Sequence, residues 1–280
     1  MPEKEDRAFW IGRLADFYGC DTNAAGKILD AHNDAGEVAP MLIRRFGITE
    51  GNRQTLSLGM TLDQLVNPTR YNAIPDLWES LAPPGERLDE FGRKEWDKEA
   101  HVGETPISVG YNALQFSERA AKAIEAAASK VSRHREEFER LRNDVQCIAR
   151  LSNIYSCKSM AACYVLRYQY TQKTTDMEQA MELLGMSLDH FELLTRLAQR
   201  KYRFANSMQT GHRKIPFPGA VNGIGTNYHW SQVLPLYQRE LDDFRASVAK
   251  LKSGQRVTLF ETNAPSLDRK TNPEIAEPGP

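Results

Sequence analysis

Several signals are scarce in this sequence, and each absence narrows what the chain can do. Net charge is nearly missing: 36 Lys and Arg stand against 37 Asp and Glu, leaving -1 at neutral pH. With no global basic field to draw in polyanions, neither nucleic acid nor an acidic membrane surface is an expected partner. No apolar run approaches the roughly 18 to 20 residues that span a bilayer. Glu3, Lys4, Glu5, Asp6 and Arg7 put charge where a signal peptide needs an apolar segment, so the chain as written is expected in the cytoplasm. The four cysteines, Cys20, Cys147, Cys157 and Cys163, lack any CxxC spacing. Three of them fall within one predicted helix at separations that do not share a face, which predicts reduced, mostly buried thiols.

Chemical signatures are missing as well. A di-iron bundle needs Glu-x-x-His pairs one helical turn apart, and none occurs; the six histidines are scattered. There is no Gly-rich phosphate loop, no GxSxG elbow and no dinucleotide fingerprint after a strand. The expectation is therefore no metal, no cofactor and no catalytic residue. Glu136, Glu137 and Glu139 suit the start of a helix and read as solvated surface.

What the sequence does contain is helical periodicity. Phe138, Leu141, Val145, Ile148, Leu151, Tyr155, Ala162 and Val165 recur mostly at three- and four-residue steps, and Met177, Met181, Leu184, Leu188, Phe191, Leu194, Ala198 and Tyr202 repeat the pattern. Between the two runs, Thr175 and Glu178 read as a capping box. Two apolar stripes joined by a turn predict a long antiparallel hairpin over Ser132 to Ala205. Thr105-Pro106 predicts an N-cap and first helical residue ahead of Val109, Ala113, Phe116, Ala120, Ile124 and Ala127. Trp230 to Leu251 carries a further stripe.

Before these, Phe9, Trp10, Leu14 and Phe17 mark a short helix ended by Gly19; Asp21 or Thr22 caps a second that runs to Asn33–Gly36, and Val38 to Phe46 reads as a third. Gln54 to Val66 and Leu88 to Trp96 also read as helices. The expected fold is all-α: an antiparallel bundle of about four long helices with a smaller N-terminal helical subdomain. The expected boundaries are 1–98 for that subdomain with its irregular loop, 99–254 for the bundle, and 255–280 for an extended segment and a disordered tail, expected from its four prolines and few apolar residues.

Two polar constellations lie in the irregular stretches. Asn52 and Arg53 stand with Arg70 and Tyr71; Asn206, Gln209, His212 and Arg213 form the other. Amides, guanidinium groups and flat rings are what sugar hydroxyls and carboxylates require, because planar donors bind in pairs and rings stack on C–H faces. The same residues also stitch loops to helix ends, so both readings stand.

At these residues the chain resembles a known group. Gly51–Met60 (GNRQTLSLGM), Gln64–Pro68 (QLVNP), His101–Pro106 (HVGETP), Asn143-Asp144, Phe204–Thr210 (FANSMQT) and Arg213–Pro216 (RKIP) are similar to the helical C-terminal region of large glycoside-hydrolase-like proteins, the α-glucuronidase-like and hexosaminidase-like barrel enzymes. The resemblance spans roughly residues 5 to 252. It implies a polysaccharide-degrading parent whose two catalytic carboxylates sit on a (β/α) barrel. This chain has no alternating strand-helix pattern, so no catalytic residue carries over. The resemblance implies a non-catalytic accessory domain, a fragment of a secreted or periplasmic parent, that docks on an upstream barrel and takes part in oligosaccharide binding. The alternative is a standalone helical protein-interaction module with no carbohydrate role.

Overall fold

The computed structural model describes residues 6–42, 61–66, 83–202 and 229–257. These residues form α1 (Arg7–Tyr18), α2 (Thr22–Leu42), α3 (Leu62–Val66), α4 (Leu88–Asp97), α5 (Pro106–Ala128), α6 (Arg135–Thr171), α7 (Thr174–Gln199) and α8 (Trp230–Lys252). The fold is all-α, a bundle organised around α6, which packs against α2, α3, α4, α5 and α7; α8 covers α7, and α1 lies on α2. The predicted hairpin is α6 with α7. Phe138, Val145, Tyr155, Ala162 and Val165 are buried on α6, and Met177, Leu184, Phe191, Leu194 and Ala198 on α7. Each large side chain so buried contributes about 1.5–3 kcal/mol.

Local chemistry sets the helix ends. Thr105 and Ser108 form a reciprocal capping box with Pro106 at the first position of α5. Asp21 Oδ1 accepts from the Ala24 amide at 2.7 Å to open α2. Gly19 closes α1 in the left-handed region (φ 61), and a side chain there would collide with Ser132. That close approach fastens the α1–α2 turn to the α5–α6 turn, because the Tyr18 carbonyl also accepts from the Ser132 and Arg133 amides.

Three expectations are corrected. The second and third predicted helices are one, α2, unbroken from Thr22 to Leu42. Ala31, Ala35, Val38, Met41 and Leu42 stay on one buried stripe, and that packing outweighs the helix-weakening Asn33 and Gly36; Pro40 sits on the exposed side, where its missing donor is tolerated. The Thr175 capping box is absent. Helix α7 starts two residues earlier, after Lys173, with no side-chain cap. Its turn is held instead by buried Asp176, which accepts from the Arg167 guanidinium and, at 2.6 Å, from Thr171 Oγ1. Finally, Phe9, Trp10 and Phe17 do not face the core: they are 55%, 45% and 44% exposed. Residues 43–60 and 67–82 lie outside the described residues, so the predicted Gln54–Val66 helix is seen only as α3, and the 258–280 tail is likewise outside.

Two ionic devices fix the elements around α6. Lys158, 2% exposed, places Nζ 2.9 Å from Glu240 Oε2 and 3.5 Å from the Tyr237 ring centroid. Burial lowers the Lys158 pKa against the pull of Glu240. The other oxygen of Glu240 accepts the Leu62 amide, so one carboxylate joins α6, α8 and α3.

The second device is a clasp over α4. Glu86, 1% exposed, accepts from His101 Nδ1 at 2.7 Å, Lys94 Nζ at 3.0 Å and the Val102 amide at 2.8 Å; His101 Nε2 lies 2.7 Å from Glu95. Both ring nitrogens can donate only in the imidazolium form. The Phe91 ring stacks on this imidazole at 4.7 Å. Gly103 (φ 71) completes the clasp, since a Cβ there would strike the Pro84 carbonyl. Hydrogen bonds to Glu86 and Glu95 raise the His101 pKa. Burial alone would raise Glu86, but His101, the Val102 amide and Lys94 together pull it down.

Two outcomes are expected. Glu240→Ala, which takes this carboxylate from a buried ammonium, should cost about 3–5 kcal/mol in urea unfolding, and the Lys158→Met/Glu240→Leu double variant markedly less; equal losses in the two would show that the stranded ammonium is not what destabilises the single variant. For the clasp, the His101 contribution is full below the ordinary imidazole value of about 6.5 and is lost as pH rises through its raised folded value, while the Glu86 contribution is present above the ordinary carboxylate value of about 4.3 and is lost as pH falls through its lowered one. The stability difference between the native chain and His101→Gln should therefore be greatest between those two ordinary values, at about 1 kcal/mol for a partly exposed imidazole, and shrink toward alkaline pH. A difference that stays constant from acid to alkaline pH contradicts the clasp.

Candidate functional site

A cleft of about 480 Å³ opens between α4 and the C-terminal end of α6, beside α3. Its floor is apolar, made by buried Val66 and Leu166. Gly92 explains how α4 comes so close to α6: a Cβ at that position would stand 3.2 Å from the Leu166 Cβ. The clasp on Glu86 holds the chain on either side of α4, and the close approach of Gly92 to Leu166 sets the spacing of the two walls.

The α4 wall is charged. Arg87, Asp89, Glu90 and Arg93 line it. Arg87 Nε lies 3.4 Å from Asp89 Oδ1, and Glu90 lies 3.4 Å from Lys94 Nζ. Arg93 donates to Glu99 at 2.7 and 3.1 Å and to Asp97 at 3.1 Å, contacts that raise its already high pKa. The α6 wall carries Gln169 and Tyr170. The Tyr170 ring stacks on Trp96 at 5.7 Å with 17° between planes, and the two remain 38% and 49% exposed. Two guanidinium groups balance two carboxylates, leaving donors and acceptors side by side next to a flat aromatic pair.

Among the described residues no group of three or more His, Cys, Asp or Glu is arranged to hold a metal ion. The four cysteines are free thiols; burial pushes Cys147 and Cys163 up to about 12, so neither is a nucleophile at neutral pH. No helix among the described residues is long and apolar enough to cross a membrane.

The residues singled out in the sequence, Asn52, Arg53, Arg70, Tyr71, Asn206, Gln209, His212 and Arg213, lie outside the described residues. Two of the phrases that carry the resemblance are described, and both are structural. His101–Pro106 supplies the clasp and the cap of α5. Asn143 is buried, and Asp144 accepts from the Tyr202 hydroxyl, whose pKa burial and that carboxylate push up to about 12. The cleft itself was missed. Its residues come from three helices distant in sequence, and the one available signal was Gly92, a glycine inside a helical pattern that asks for a packing reason.

Comparison with protein-family profiles and with curated proteins finds no match. Among solved structures the chain is similar to a GH138 enzyme described as targeting pectin rhamnogalacturonan II, at 38% identity and a TM-score of 0.82, over 90% of this chain and 36% of that one. The glycoside-hydrolase-like relation expected from the sequence is therefore real, although it leads to GH138 rather than to the α-glucuronidase-like or hexosaminidase-like enzymes. The chain spans little more than a third of the enzyme it matches.

Proposed function

We propose that this chain is a non-catalytic helical domain of a glycoside hydrolase, which packs against a catalytic barrel and takes part in holding the glycan. The observation that carries the reading is the extent of the similarity: nearly all of this chain corresponds to about a third of a GH138 enzyme. At 38% identity over that length, shared ancestry of the domain is the economical explanation, but chemistry has to be argued from the site. The described residues support a non-catalytic role, since they offer an all-helical bundle where glycoside hydrolysis needs two carboxylates flanking one bond. Asp89 and Glu90, the carboxylates of the cleft, are interleaved with cations on a single helix.

Helix α1 supplies the packing face. Phe9 and Trp10 meet edge to face at 5.3 Å, and Phe17 stacks on His134 at 4.2 Å, yet all three aromatics stay largely exposed. Apolar surface grouped in this way marks an interface.

Incubated with pectin, the purified chain should release no reducing ends above a heat-denatured control; turnover would overturn the non-catalytic reading. The packing face makes a separate demand. Phe9→Ser/Trp10→Ser should change unfolding free energy by no more than about 1 kcal/mol, the range for exposed positions, because these rings are kept for association; a loss of several kcal/mol would assign them to the fold of the isolated chain.

A further inference from the structure

We propose that the α4–α6 cleft is a binding subsite for a neutral sugar residue, an assignment that rests on the glycoside-hydrolase reading and gives it a location. The size suits it: about 480 Å³ falls within the range of small-ligand sites. The chemistry of the walls narrows the ligand. An apolar ligand would leave the Arg87, Asp89, Glu90 and Arg93 rim facing carbon. A carboxylate would have to compete with Asp97 and Glu99 for Arg93, which already makes three hydrogen bonds to them, and would approach Asp89 and Glu90 besides. A cation would meet the two guanidinium groups. A ring of hydroxyls meets none of these penalties, since each hydroxyl both donates and accepts and can be shared between a guanidinium and a carboxylate.

The aromatic pair supplies the other half of sugar recognition. Trp96 and Tyr170 come from different helices, α4 and α6, and lie nearly parallel at 5.7 Å. They are more exposed than rings of that size are when they serve a core. Beside a hydroxyl-binding rim, such a platform accepts the C–H face of a pyranose. Gln169, on the same turn of α6 as Tyr170, adds an amide that both donates and accepts. The supports are rigid: Gly92 against Leu166 sets the cleft width, and Asp176 with Arg167 and Thr171 holds the end of α6.

The test is a two-dimensional NMR titration of the full chain that follows the Trp96 indole N–H, assigned with Trp96→Phe. The probes are neutral oligosaccharides of rhamnose, galactose and arabinose, and oligogalacturonates as the acidic set. The proposal expects a saturable Trp96 shift with a neutral sugar, insensitive to added salt and weakened about tenfold by Tyr170→Ala and by Glu90→Ala. Both positions are on the surface, and an unchanged thermal unfolding midpoint confirms that each variant folds. A Trp96 shift seen only with oligogalacturonates and abolished by salt overturns the neutral-sugar assignment. Sugar-induced shifts that leave Trp96 unmoved overturn the cleft but keep glycan contact elsewhere in the chain. No shift with any sugar overturns the cleft and the glycan role together; the reading as a packed hydrolase domain then stands on the structural similarity and falls only if the chain proves catalytic by itself.

Discussion

The structure depends on one demand, the covering of α6. A helix of 37 residues is about 55 Å long, and α6 meets a neighbour on almost every side. Its own sequence prepares for this by keeping side chains small where helices cross. Ser152, Ser156, Ser159, Ala161 and Ala162 are buried on it, and Ser156 donates to the Gly110 carbonyl of α5 at 3.0 Å. A Cβ at Gly110 would stand 3.4 Å from that same serine oxygen. A helix enclosed so fully must also deal with its polar groups internally, which is why Ser159 bonds back to the Ser156 carbonyl and why Lys158 is matched by a carboxylate from α8. The buried ion pair costs desolvation, and it ties α6 to α8 and, through the Leu62 amide, to α3.

The cleft is a consequence of how α6 ends. Leu166 reaches up to accept α4, Arg167 and Thr171 turn to hold α7 through Asp176, and Gln169 and Tyr170 are left on the remaining face. Helix α4 is short and strongly charged, a poor helix to stand alone, so it is fixed from outside by the Glu86–His101 clasp. The same clasp draws Glu104 back beside Gly85 and delivers the chain to the N-cap of α5.

Much of this was legible in the sequence because it is repetitive or local. The stripes from Phe138 and from Met177 predicted the hairpin, Thr105-Pro106 predicted the start of α5, and Gly19 predicted the end of α1. The reading failed where the deciding interaction is between residues far apart. Gly36 looks like a helix stop until Ala31, Ala35 and Val38 are seen packing on α5 and α6. Thr175 looks like a cap until Asp176 is seen engaged by Arg167, nine residues earlier. The aromatic stripe of α1 follows helical spacing faithfully, but periodicity reports that a face is apolar and is silent on whether this chain or another covers it. Glu86 and His101, fifteen residues apart, carry no mutual signal in one sequence. The sequence also directed attention to Arg70, Arg213 and their neighbours, where polar and aromatic residues are adjacent in the chain, rather than to Trp96 and Tyr170, which become adjacent only once α4 lies on α6.

The positions of the two exposed aromatic groups bear on how such a domain would serve an enzyme. Phe17 of the α1 face stacks on His134, the residue before α6 begins. Tyr170 of the cleft is in the last turn of that same helix. They are therefore separated by nearly the full length of α6, about 50 Å at 1.5 Å per residue. If α1 is the docking face, as proposed, a sugar held in the cleft lies about that far from the interface. On the proposed reading, such a cleft would hold a part of the polymer remote from the interface rather than finish a groove there. The gain would be in effective concentration, because a second, weak contact on one chain raises the local amount of substrate without new chemistry at the bond that breaks. A neutral, shallow site suits that task, since a polymer held weakly at a distance can be released after each cleavage.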